Sequence, residues 1–291
     1  MINRSDYVET HTVCCAFMPA ESWAILSNVE KSIKAKVEAI GTPLKDWDIQ
    51  INYGIKTGCN DAFIIDSEKR KEILANCIDD DERVRTAELI RPILRGRDIC
   101  RYGYKWADLW LINTHNGIKG RKERILIENY PSIKQHLDNY WNQIESRADR
   151  GDTPYNLRNC VYVDEFSKPK IVWGNLNVCG SYAITSEDMF INAPACMIVP
   201  GNNYLLAVLN SKIADFYIRT LGVVRNGGFF EYKPMFVEQI PIPQITEETR
   251  MQIDTILASS LSREDKDAKI DEILVKIYGL SEDEIIFLRN Q

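Results

Sequence analysis

The stretch that decides the fold is KPKIVWGNLNVCGSYAITSEDMFINAPACMIVPG, which runs from Lys168 to Gly201. It contains three apolar or alternating runs, at 168–176, 180–186 and 189–201, with turn-forming Gly, Asn and Asp residues between them. Such runs are typical of strands in a sheet. The stretch therefore predicts three β-strands joined by turns.

The residues before this stretch predict further strands and short helices. Residues 47–66 resemble two strands joined by a turn rich in Gly, Thr and Asn, and 107–113 is a further strand candidate. Helices are expected at 67–77 and 82–90. An amphipathic helix is expected at 132–148.

Longer helices are predicted on both sides of these elements. Residues 19–41 begin after a proline, end at a glycine and carry apolar residues at spacings of three and four. Residues 203–221 form a second amphipathic pattern that stops at Gly222. Three short helices follow between 246 and 290. The order of elements predicts a mixed α/β (α+β) fold with a largely antiparallel sheet, flanking helices and a helical C-terminal region.

The composition is that of an ordinary folded protein. The chain has 291 residues, of which 45% are hydrophobic and 27% charged, and one large or two modest domains are expected. The N-terminal residues do not resemble a signal peptide, and no apolar run approaches the ~20 residues that span a bilayer. We expect a soluble, cytoplasmic protein with no membrane partner.

The cysteine pattern argues against disulfides and against a structural metal. Eight cysteines occur without a C-x-x-C pair, and only three histidines accompany them. We expect free thiols in a reducing compartment.

The charges are divided unevenly along an acidic chain. The net charge is −6, and residues 245–291 carry eleven acids against six bases. Residues 83–124 carry eleven Lys or Arg against four acids. Local charge matters most to a polyanion, because salt screens exposed charges beyond about 8 Å.

The centre of the basic region is RPILRGRDICRYGYKW, from Arg91 to Trp106, which we call the basic segment. Tyr and Trp residues are interleaved among its cations, and Asp98 is its single acid. The cations are Arg91, Arg95, Arg97, Arg101 and Lys105. One interpretation is a nucleic-acid surface, in which arginines contact phosphates or guanine. The alternative is a solvated face with intramolecular ion pairs.

Two glycine-containing loops could also contact an anion. GIKTGCNDAF (54–63) offers Lys56, Thr57 and Asn60, although a structural hairpin turn is the alternative. RNGGFF (225–230) has two glycines that permit close approach of a ligand to the backbone but equally serve a tight turn. Neither a Walker loop nor a G-x-G-x-x-G motif occurs in the sequence.

A catalytic alternative is a magnesium-dependent nuclease built on Asp215, Glu231 and Lys233. Two carboxylates could hold the metal while the lysine assists the attacking water. Asp215 falls inside a predicted amphipathic helix, however, and isolated E-x-K triplets are common. The histidines lack a nucleophile context such as G-x-S-x-G.

Six blocks in order resemble one known family. They are YGIKTGCNDAFIID, IRPILRGRDICRY, ENYPSIKQHL, KPKIVWGNL, YLLAVLNSKIADFYI and GGFFEYKPMFVEQIPIP. Together, from about Trp47 to Pro243, they resemble the TaqI-like C-terminal specificity domain of type IIG restriction-modification enzymes and N6-adenine DNA methyltransferases. The N-P-P-Y type tetrad and the S-adenosylmethionine loop of those enzymes do not occur in these 291 residues.

The resemblance implies a division into three segments. Residues 1–46 would be a connector helix region, 47–244 a DNA target-recognition domain and 245–291 a C-terminal helical spacer. The implied partners are double-stranded DNA and a methyltransferase or nuclease domain in cis or in trans. No cofactor is expected in this chain, whereas S-adenosylmethionine and Mg²⁺ are expected for the parent enzyme.

The resemblance also implies one DNA-facing surface, on which phosphate contacts position the chain and base contacts specify the sequence. Some of its arginines, especially Arg95 and Arg97, would instead brace the fold. The predicted surface comprises Lys56, Thr57, Asn60, Arg91, Arg95, Arg97, Arg101, Lys105, Arg225, Asn226, Gly227 and Gly228. A further alternative is a protein-interaction module that docks partners through helices 19–41 and 246–290.

Overall fold

The computed structural model describes residues 26–185, 188–221 and 224–291. These residues form twelve α-helices, four short 3₁₀ helices and fifteen strands. Only one of the strand pairs among them is parallel. The predicted mixed α/β fold with largely antiparallel sheets is therefore confirmed.

The helices alternate with strands through most of the chain and follow one another at its C-terminal end. They are α1 (Asn28–Ile40), α2 (Asn60–Phe63), α3 (Ser67–Ala75), α4 (Asp80–Leu89), α5 (Pro131–Asp138), α6 (Trp141–Ile144), α7 (Asn203–Leu209), α8 (Lys212–Leu221), α9 (Pro234–Val237), α10 (Glu247–Ala258), α11 (Arg263–Ile277) and α12 (Glu282–Arg289). The 3₁₀ helices are Leu44–Asp46, Gly96–Asp98, Ile127–Asn129 and Val163–Ser167.

The strands are short. They are β1 (Gly41–Pro43), β2 (Gln50–Tyr53), β3 (Ile64–Asp66), β4 (Ile90–Leu94), β5 (Ile99–Cys100), β6 (Gly103–Tyr104), β7 (Leu109–Ile112), β8 (Lys170–Trp173), β9 (Leu176–Asn177), β10 (Tyr182–Thr185), β11 (Phe190–Ile191), β12 (Cys196–Val199), β13 (Val224–Arg225), β14 (Phe229–Glu231) and β15 (Pro241–Pro243).

The described residues divide into two compact units. The sheet unit comprises 49–175 and the described part of 181–202. The helical unit comprises 26–48, 176–180 and the described part of 203–291. Residues 203–244 therefore belong to the same compact unit as the C-terminal helices. The functional division at 46/47 and 244/245 stays a prediction.

Two four-stranded sheets and the two-stranded sheet β5-β6 lie in the sheet unit. One has the strand order β10-β8-β12-β2 and is antiparallel throughout. The other has the order β11-β4-β7-β3, in which β11 and β4 are parallel. All four residues of the central strand β8 are buried. Each of the three predicted runs in the 168–201 stretch forms strands, but there are five strands rather than three: β8 and β9 in the first run, β10 in the second, and β11 and β12, which belong to different sheets, in the third.

The strand β8 contains a buried cation. Lys170 is fully buried, and its Nζ donates hydrogen bonds to the carbonyl oxygens of Phe166 at 2.8 Å and Lys168 at 3.1 Å. These carbonyls lie at the end of a 3₁₀ helix, where backbone acceptors lack partners within the helix. The side chain thus satisfies groups whose burial without hydrogen bonds would be unfavourable.

A hydrophobic core lies within the sheet unit. Phe63, Leu111, Ile133 and Phe166 are fully buried in it, and the Phe166 ring stacks on Phe190 with 4.9 Å between centroids. Burying each such side chain contributes roughly 1.5–3 kcal/mol. This core holds the loops described below.

The helical unit is organised around α1, α7, α8 and the three C-terminal helices. Ile253, Ile270 and Leu274 are fully buried, so each C-terminal helix of the pair α10 and α11 contributes to the core. Small sheets accompany the helices: β1 pairs with β15, and the order β13-β14-β9 forms a three-stranded sheet. The predicted helices between 246 and 290 are confirmed.

Two sequence expectations need correction or completion. Helix α1 begins after Ser27, whose side chain forms a capping box with Glu30. It confirms the predicted helix over 28–40, whereas residues 19–25 of that prediction lie outside the described residues. The two strands expected in 47–66 exist, but β2 and β3 belong to different sheets. The hairpin interpretation of their connection is therefore wrong.

Two long helices predicted from periodicity are interrupted. The 203–221 pattern forms two helices, α7 and α8. Between them, the side chains of Asn210 and Ser211 donate hydrogen bonds to the carbonyl oxygens of Leu206 and Val208, respectively. Polar side chains that bond to nearby backbone compete with helical hydrogen bonds. The 132–148 pattern likewise forms α5 and α6. Among the described residues, no helix is both long and apolar enough to cross a membrane.

Candidate nucleic-acid interface

A cleft of about 930 Å³ opens on the sheet unit, and we call it the first cleft. Its walls are residues 53–60, Asp149, residues 158–162 and residues 192–194. One wall is the loop GIKTGCN, in which the sequence predicts an anion contact. Polar and aromatic groups thus surround a space open to a ligand.

The backbone of this loop is fixed by close packing. A Cβ on Gly54 would lie 2.4 Å from the Ile191 carbonyl oxygen, so only glycine fits there. Ile55 forms a parallel bridge with Asn192. Gly58 adopts a φ of +68°, and a Cβ there would lie 2.9 Å from the Arg147 side chain. The two glycines of the motif therefore serve backbone geometry.

The three predicted contacts in the loop have different environments. Lys56 is exposed and makes no hydrogen bond or ion pair with the residues that the structure describes. Thr57 is buried, and its Oγ1 donates to Asn60 Oδ1 at 2.6 Å while accepting from the Cys59 amide. Thr57 thus shapes the loop from inside, whereas Lys56 and the exposed Asn60 can reach a ligand.

A buried arginine that the sequence did not single out supports the cleft. The Arg147 guanidinium donates to the carbonyl oxygens of Ile144, Pro154 and Asn156, and its Cζ lies 4.4 Å from the Phe63 ring centroid. Burial lowers the pKa of Arg147 to about 10. It therefore stays charged at neutral pH and holds the 145–158 segment in place.

A second cleft of about 1080 Å³ adjoins the first, since Asn159 and Val161 line both. Its other walls are residues 116–124 and Asp152. We call 116–124 the basic loop because it contains Lys119, Arg121, Lys122 and Arg124. These residues belong to the basic region at 83–124, but unlike the basic segment they have no aromatic residues between their cations.

Three cations of the basic loop face carboxylates. Arg121 Nη2 and Lys122 Nζ lie 2.7 and 3.0 Å from the two oxygens of Asp164. Arg124 Nη1 lies 3.4 Å from Asp152 Oδ2. Lys119 is exposed and has no such partner within the described chain. The hydrogen bond from Lys122, opposed by burial, lowers the pKa of Asp164.

Hydrogen bonds across its base hold the basic loop. Asn156 is buried, and its Nδ2 donates to the carbonyl oxygens of Thr114 and Ile125. His115 Nδ1 accepts from the Gly117 amide at 3.2 Å. Burial, together with the charge of Lys122, lowers the pKa of His115 to about 4. The imidazole is therefore neutral at physiological pH, as an accepting Nδ1 requires.

The basic segment lines neither cleft, and its cations differ among themselves. Arg95 makes two hydrogen bonds of 2.8 and 2.9 Å to the carboxylate of Asp98, which is buried. Asp98 Oδ2 also accepts from the Arg95 amide. Burial raises the pKa of Asp98, but the bonds from Arg95 outweigh it and lower the pKa. Arg95 therefore braces the RGRD turn, as the resemblance suggested it could.

The remaining four cations of the basic segment differ in whether they have a partner within the protein. Arg91 forms an ion pair with Asp188, and Arg101 is half-buried with an interaction partner in the protein. Arg97 and Lys105 are exposed and have no hydrogen bond or ion pair from their side chains among the described residues. The structure thus contains elements of both interpretations, solvated cations and intramolecular pairs.

Two of the three aromatic residues of the basic segment pack inward. Trp106 and Tyr104 contact the core of the sheet unit, and the Trp106 ring meets Trp110 edge-on with 5.2 Å between centroids. Trp106 Nε1 donates to the Leu109 carbonyl at 3.1 Å. Their interleaving with cations therefore reflects packing of the segment on the core.

The RNGGFF loop is a hairpin of the helical unit. Strands β13 and β14 pair across Asn226, Gly227 and Gly228, and the two glycines have positive φ angles of +79° and +76°. Arg225 donates from Nε to Glu231 Oε1 at 2.6 Å, and its side chain is 54% exposed. The predicted place of this loop on the same DNA-facing surface stays a prediction.

The proposed nuclease residues are occupied by internal partners. The Asp215 carboxylate accepts from the Gly180 amide at 2.8 Å, from the Tyr232 hydroxyl and from Arg219. Both oxygens of Glu231 face cations, Lys233 and Arg225, which lower its pKa. No group of three or more potential metal ligands of the His, Cys, Asp and Glu types occurs within the described residues. The nuclease alternative is therefore unsupported.

Comparisons with known proteins agree with this architecture. Residues 91–242 match the model of the TaqI-like C-terminal specificity domain. The type II methyltransferase M.PaeR7I of Pseudomonas aeruginosa is 21% identical over 287 residues, which cover 91% of this chain and 44% of the relative. The chain thus spans less than half the length of this curated relative.

Two solved structures share the fold. The type IIL restriction-modification enzyme MmeI, solved in complex with DNA, superposes with a TM-score of 0.59 at 12% identity, covering 84% of this chain and 35% of that chain. The type IIG restriction endonuclease BpuSI gives a TM-score of 0.55 at 13% identity, with 91% and 32% covered. At these identities the likeness shows the fold alone.

Proposed function

The chain belongs to the TaqI-like C-terminal specificity domain family, and from that premise we propose that it recognises a specific sequence in double-stranded DNA. It would serve a type II, IIG-like restriction-modification enzyme. Its role would be to give target specificity to an adenine-N6 methyltransferase or endonuclease located outside this chain, in cis or in trans.

The observation that carries the proposal is the polar content of the first cleft. Lys56 is exposed and unpaired among the described residues, and two exposed asparagines, Asn60 and Asn159, line the same cleft. A lysine neutralises a phosphate, whereas asparagine amides can bond to the edge of adenine. One cleft therefore offers both a positioning contact and base-reading contacts.

Cofactors and location follow from the same proposal. S-adenosylmethionine and Mg²⁺ would act on the methyltransferase or nuclease part of the parent enzyme, with no cofactor held by this chain. The protein would work in the cytoplasm, where the DNA of a restriction-modification host is accessible.

Selection from a random duplex library tests the proposal. The purified chain should enrich a defined site, and its binding should fall with salt with a log-log slope of about −0.9 for each phosphate contact. Lys56→Ala should weaken binding on every sequence and reduce the slope by about 0.9. Asn60→Ala should lose about 1 to 3 kcal/mol on the selected site only.

Lys71→Ala is the matched control, because Lys71 is an exposed lysine of α3 that lines neither cleft. It removes the same charge and should leave binding unchanged. An absence of enrichment together with equal effects of Lys56→Ala and Lys71→Ala would count against DNA recognition through the first cleft. Fluorescence anisotropy at several salt concentrations measures all of these quantities.

A further inference from the structure

Carboxylates pair with three of the four cations of the basic loop, Arg121, Lys122 and Arg124. Resting on the proposed function, we propose that Asp152 and Asp164 stand in the places of two DNA phosphates, and that duplex DNA binds the second cleft by displacing them. The basic loop, with Lys119 at its exposed turn, would then bind DNA phosphates. Until DNA binds, the two acids would pair with its cations.

The geometry of the ion pairs supports this exchange. Arg121 and Lys122 share the two oxygens of one carboxylate, Asp164, at 2.7 and 3.0 Å. Phosphate oxygens accept charge-assisted bonds from arginine and lysine at similar distances. A DNA phosphate can therefore take over both cations without a change in the loop backbone.

The exposure of the acids favours the exchange. The Asp164 side chain is 44% exposed and that of Asp152 is 60% exposed. Ion pairs between such solvated groups contribute little to stability, so their loss is readily offset by a bond to phosphate. The contrast is Asp98, whose side chain is 6% exposed and which cannot release Arg95 in the same way.

The loop is shaped before any ligand arrives. Ile118 and Lys122 form an antiparallel bridge, and a Cβ on Gly117 would lie 2.5 Å from the Lys122 carbonyl oxygen. The Asn156 side chain fixes the carbonyls of Thr114 and Ile125 on the two sides of the loop. Preorganised cations bind an anion with a smaller loss of conformational entropy.

The acids also have a consequence for selectivity. A cation already paired with a carboxylate benefits less from a random phosphate than a solvated cation does. Binding to any duplex would therefore be weakened, whereas a target held by base contacts would still align its phosphates with the cations. Acidic groups that compete with phosphate in this way increase the difference in binding free energy between a correct and an incorrect DNA sequence.

The test is neutralisation of the acids one at a time. Asp164→Asn and Asp152→Asn should each strengthen binding of a fluorescein-labelled duplex of mixed sequence by about threefold. The log-log slope between about 50 and 200 mM salt should steepen by about 0.9 for each additional phosphate that the variant neutralises. Lys119→Ala should weaken binding and make the slope shallower by a similar amount.

Glu72→Gln is the matched control. Glu72 pairs with Lys69 on α3 in an exposed ion pair outside both clefts, and the change adds the same charge to the chain. It should leave affinity and slope unchanged, and thermal melting verifies that each variant is folded. The Asp152 variant keeps the test informative if the Asp164 variant fails to fold.

The outcomes separate the two proposals. If the wild-type chain binds duplex DNA with a salt-dependent affinity, but the aspartate variants behave like Glu72→Gln or bind more weakly, the exchange of acid for phosphate is wrong. If the wild-type chain shows no salt-dependent binding at all, the proposed function fails first. Tighter, steeper binding by the aspartate variants supports both.

Discussion

At the scale of single residues, cations that are close in sequence have different roles because their acidic neighbours differ in burial. Arg95 pairs with a buried carboxylate and contributes to the fold. Arg97, two residues further on, is exposed, and its side chain makes no hydrogen bond or ion pair among the described residues. Position in a basic run is therefore a poor guide to function unless the burial of each partner acid is known.

This difference predicts that two neighbouring substitutions change stability by very different amounts. Arg95→Ala leaves Asp98 buried without its cation, and should lower the free energy of unfolding by about 2 to 4 kcal/mol. Arg97→Ala removes only a solvated charge and should change stability by less than about 0.5 kcal/mol. Urea denaturation followed by circular dichroism measures both values.

Binding of DNA by the same variants completes the comparison. If Arg97 and Lys105 contact phosphate, Arg97→Ala and Lys105→Ala should weaken duplex binding on every sequence while stability stays unchanged. Equal loss of stability in Arg95→Ala and Arg97→Ala would show that the Arg95–Asp98 pair has no special role in the fold.

At the scale of elements, sequence periodicity predicted which regions form helices and strands, but less well where they end. The buried run of β8 was evident because all four of its residues face the interior. Asn210 and Ser211 break a helix through hydrogen bonds to Leu206 and Val208, and periodicity of apolar residues carries no information on such bonds. The predicted 47–66 hairpin was wrong because β2 and β3 pair with strands that are distant in sequence, β12 and β7 respectively.

The candidate site was predicted only in part for a related reason. Lys56 and Asn60 were found from a local motif, since glycine-rich turns that present cations can be recognised within a few residues. The basic loop and the first cleft's Asn159 and Asn192 were missed, because they join the site through the tertiary fold. The sequence signal for the basic loop was the positive charge of 83–124, which extends beyond the segment with aromatic residues.

A buried acid near the start of α12 gives the helical unit a predictable dependence on pH. Burial raises the pKa of Glu284, but hydrogen bonds from Lys36, Ser32 and the Ser281 amide outweigh it and lower the pKa to about 2. Because this value lies below the ordinary 4.5, the stabilisation is complete above pH 4.5 and is lost as the pH falls toward 2.

Glu284→Gln should therefore lower the free energy of unfolding at neutral pH by about 2 to 3 kcal/mol. The difference from wild type should narrow as the pH is lowered below 4.5. Glu282→Gln is the control, since Glu282 is an exposed acid in the same first turn. A gap between wild type and Glu284→Gln that is constant with pH would contradict the assigned pKa.

At the scale of the whole molecule, the net charge of −6 conceals regions of opposite sign. The acidic surplus at 245–291 lies in helices α10 to α12 of the helical unit, whereas both clefts and the basic loop belong to the sheet unit. Overall charge is therefore a misleading guide to partners, because a polyanion responds to the local field of the surface that it contacts.

The division into two units also predicts how the chain unfolds. Each unit buries its own apolar residues, such as Leu274 in the helical unit and Leu111 in the sheet unit, both fully buried. Leu→Ala at such a position costs about 2 to 5 kcal/mol through lost burial and the resulting cavity. We expect that cost to appear first in the unit that contains the substitution.

Hydrogen exchange followed by mass spectrometry measures the loss of amide protection in each unit separately. Leu274→Ala should reduce protection of amides in the helical unit, and Leu111→Ala should reduce protection in the sheet unit, because local openings expose the core that was weakened. Each of the two substitutions serves as the control for the other, because a general loss of stability would reduce protection in both units. If either substitution lowered protection equally across both units, the chain would unfold as one cooperative body, and damage to the C-terminal helices would then reach the two clefts as well.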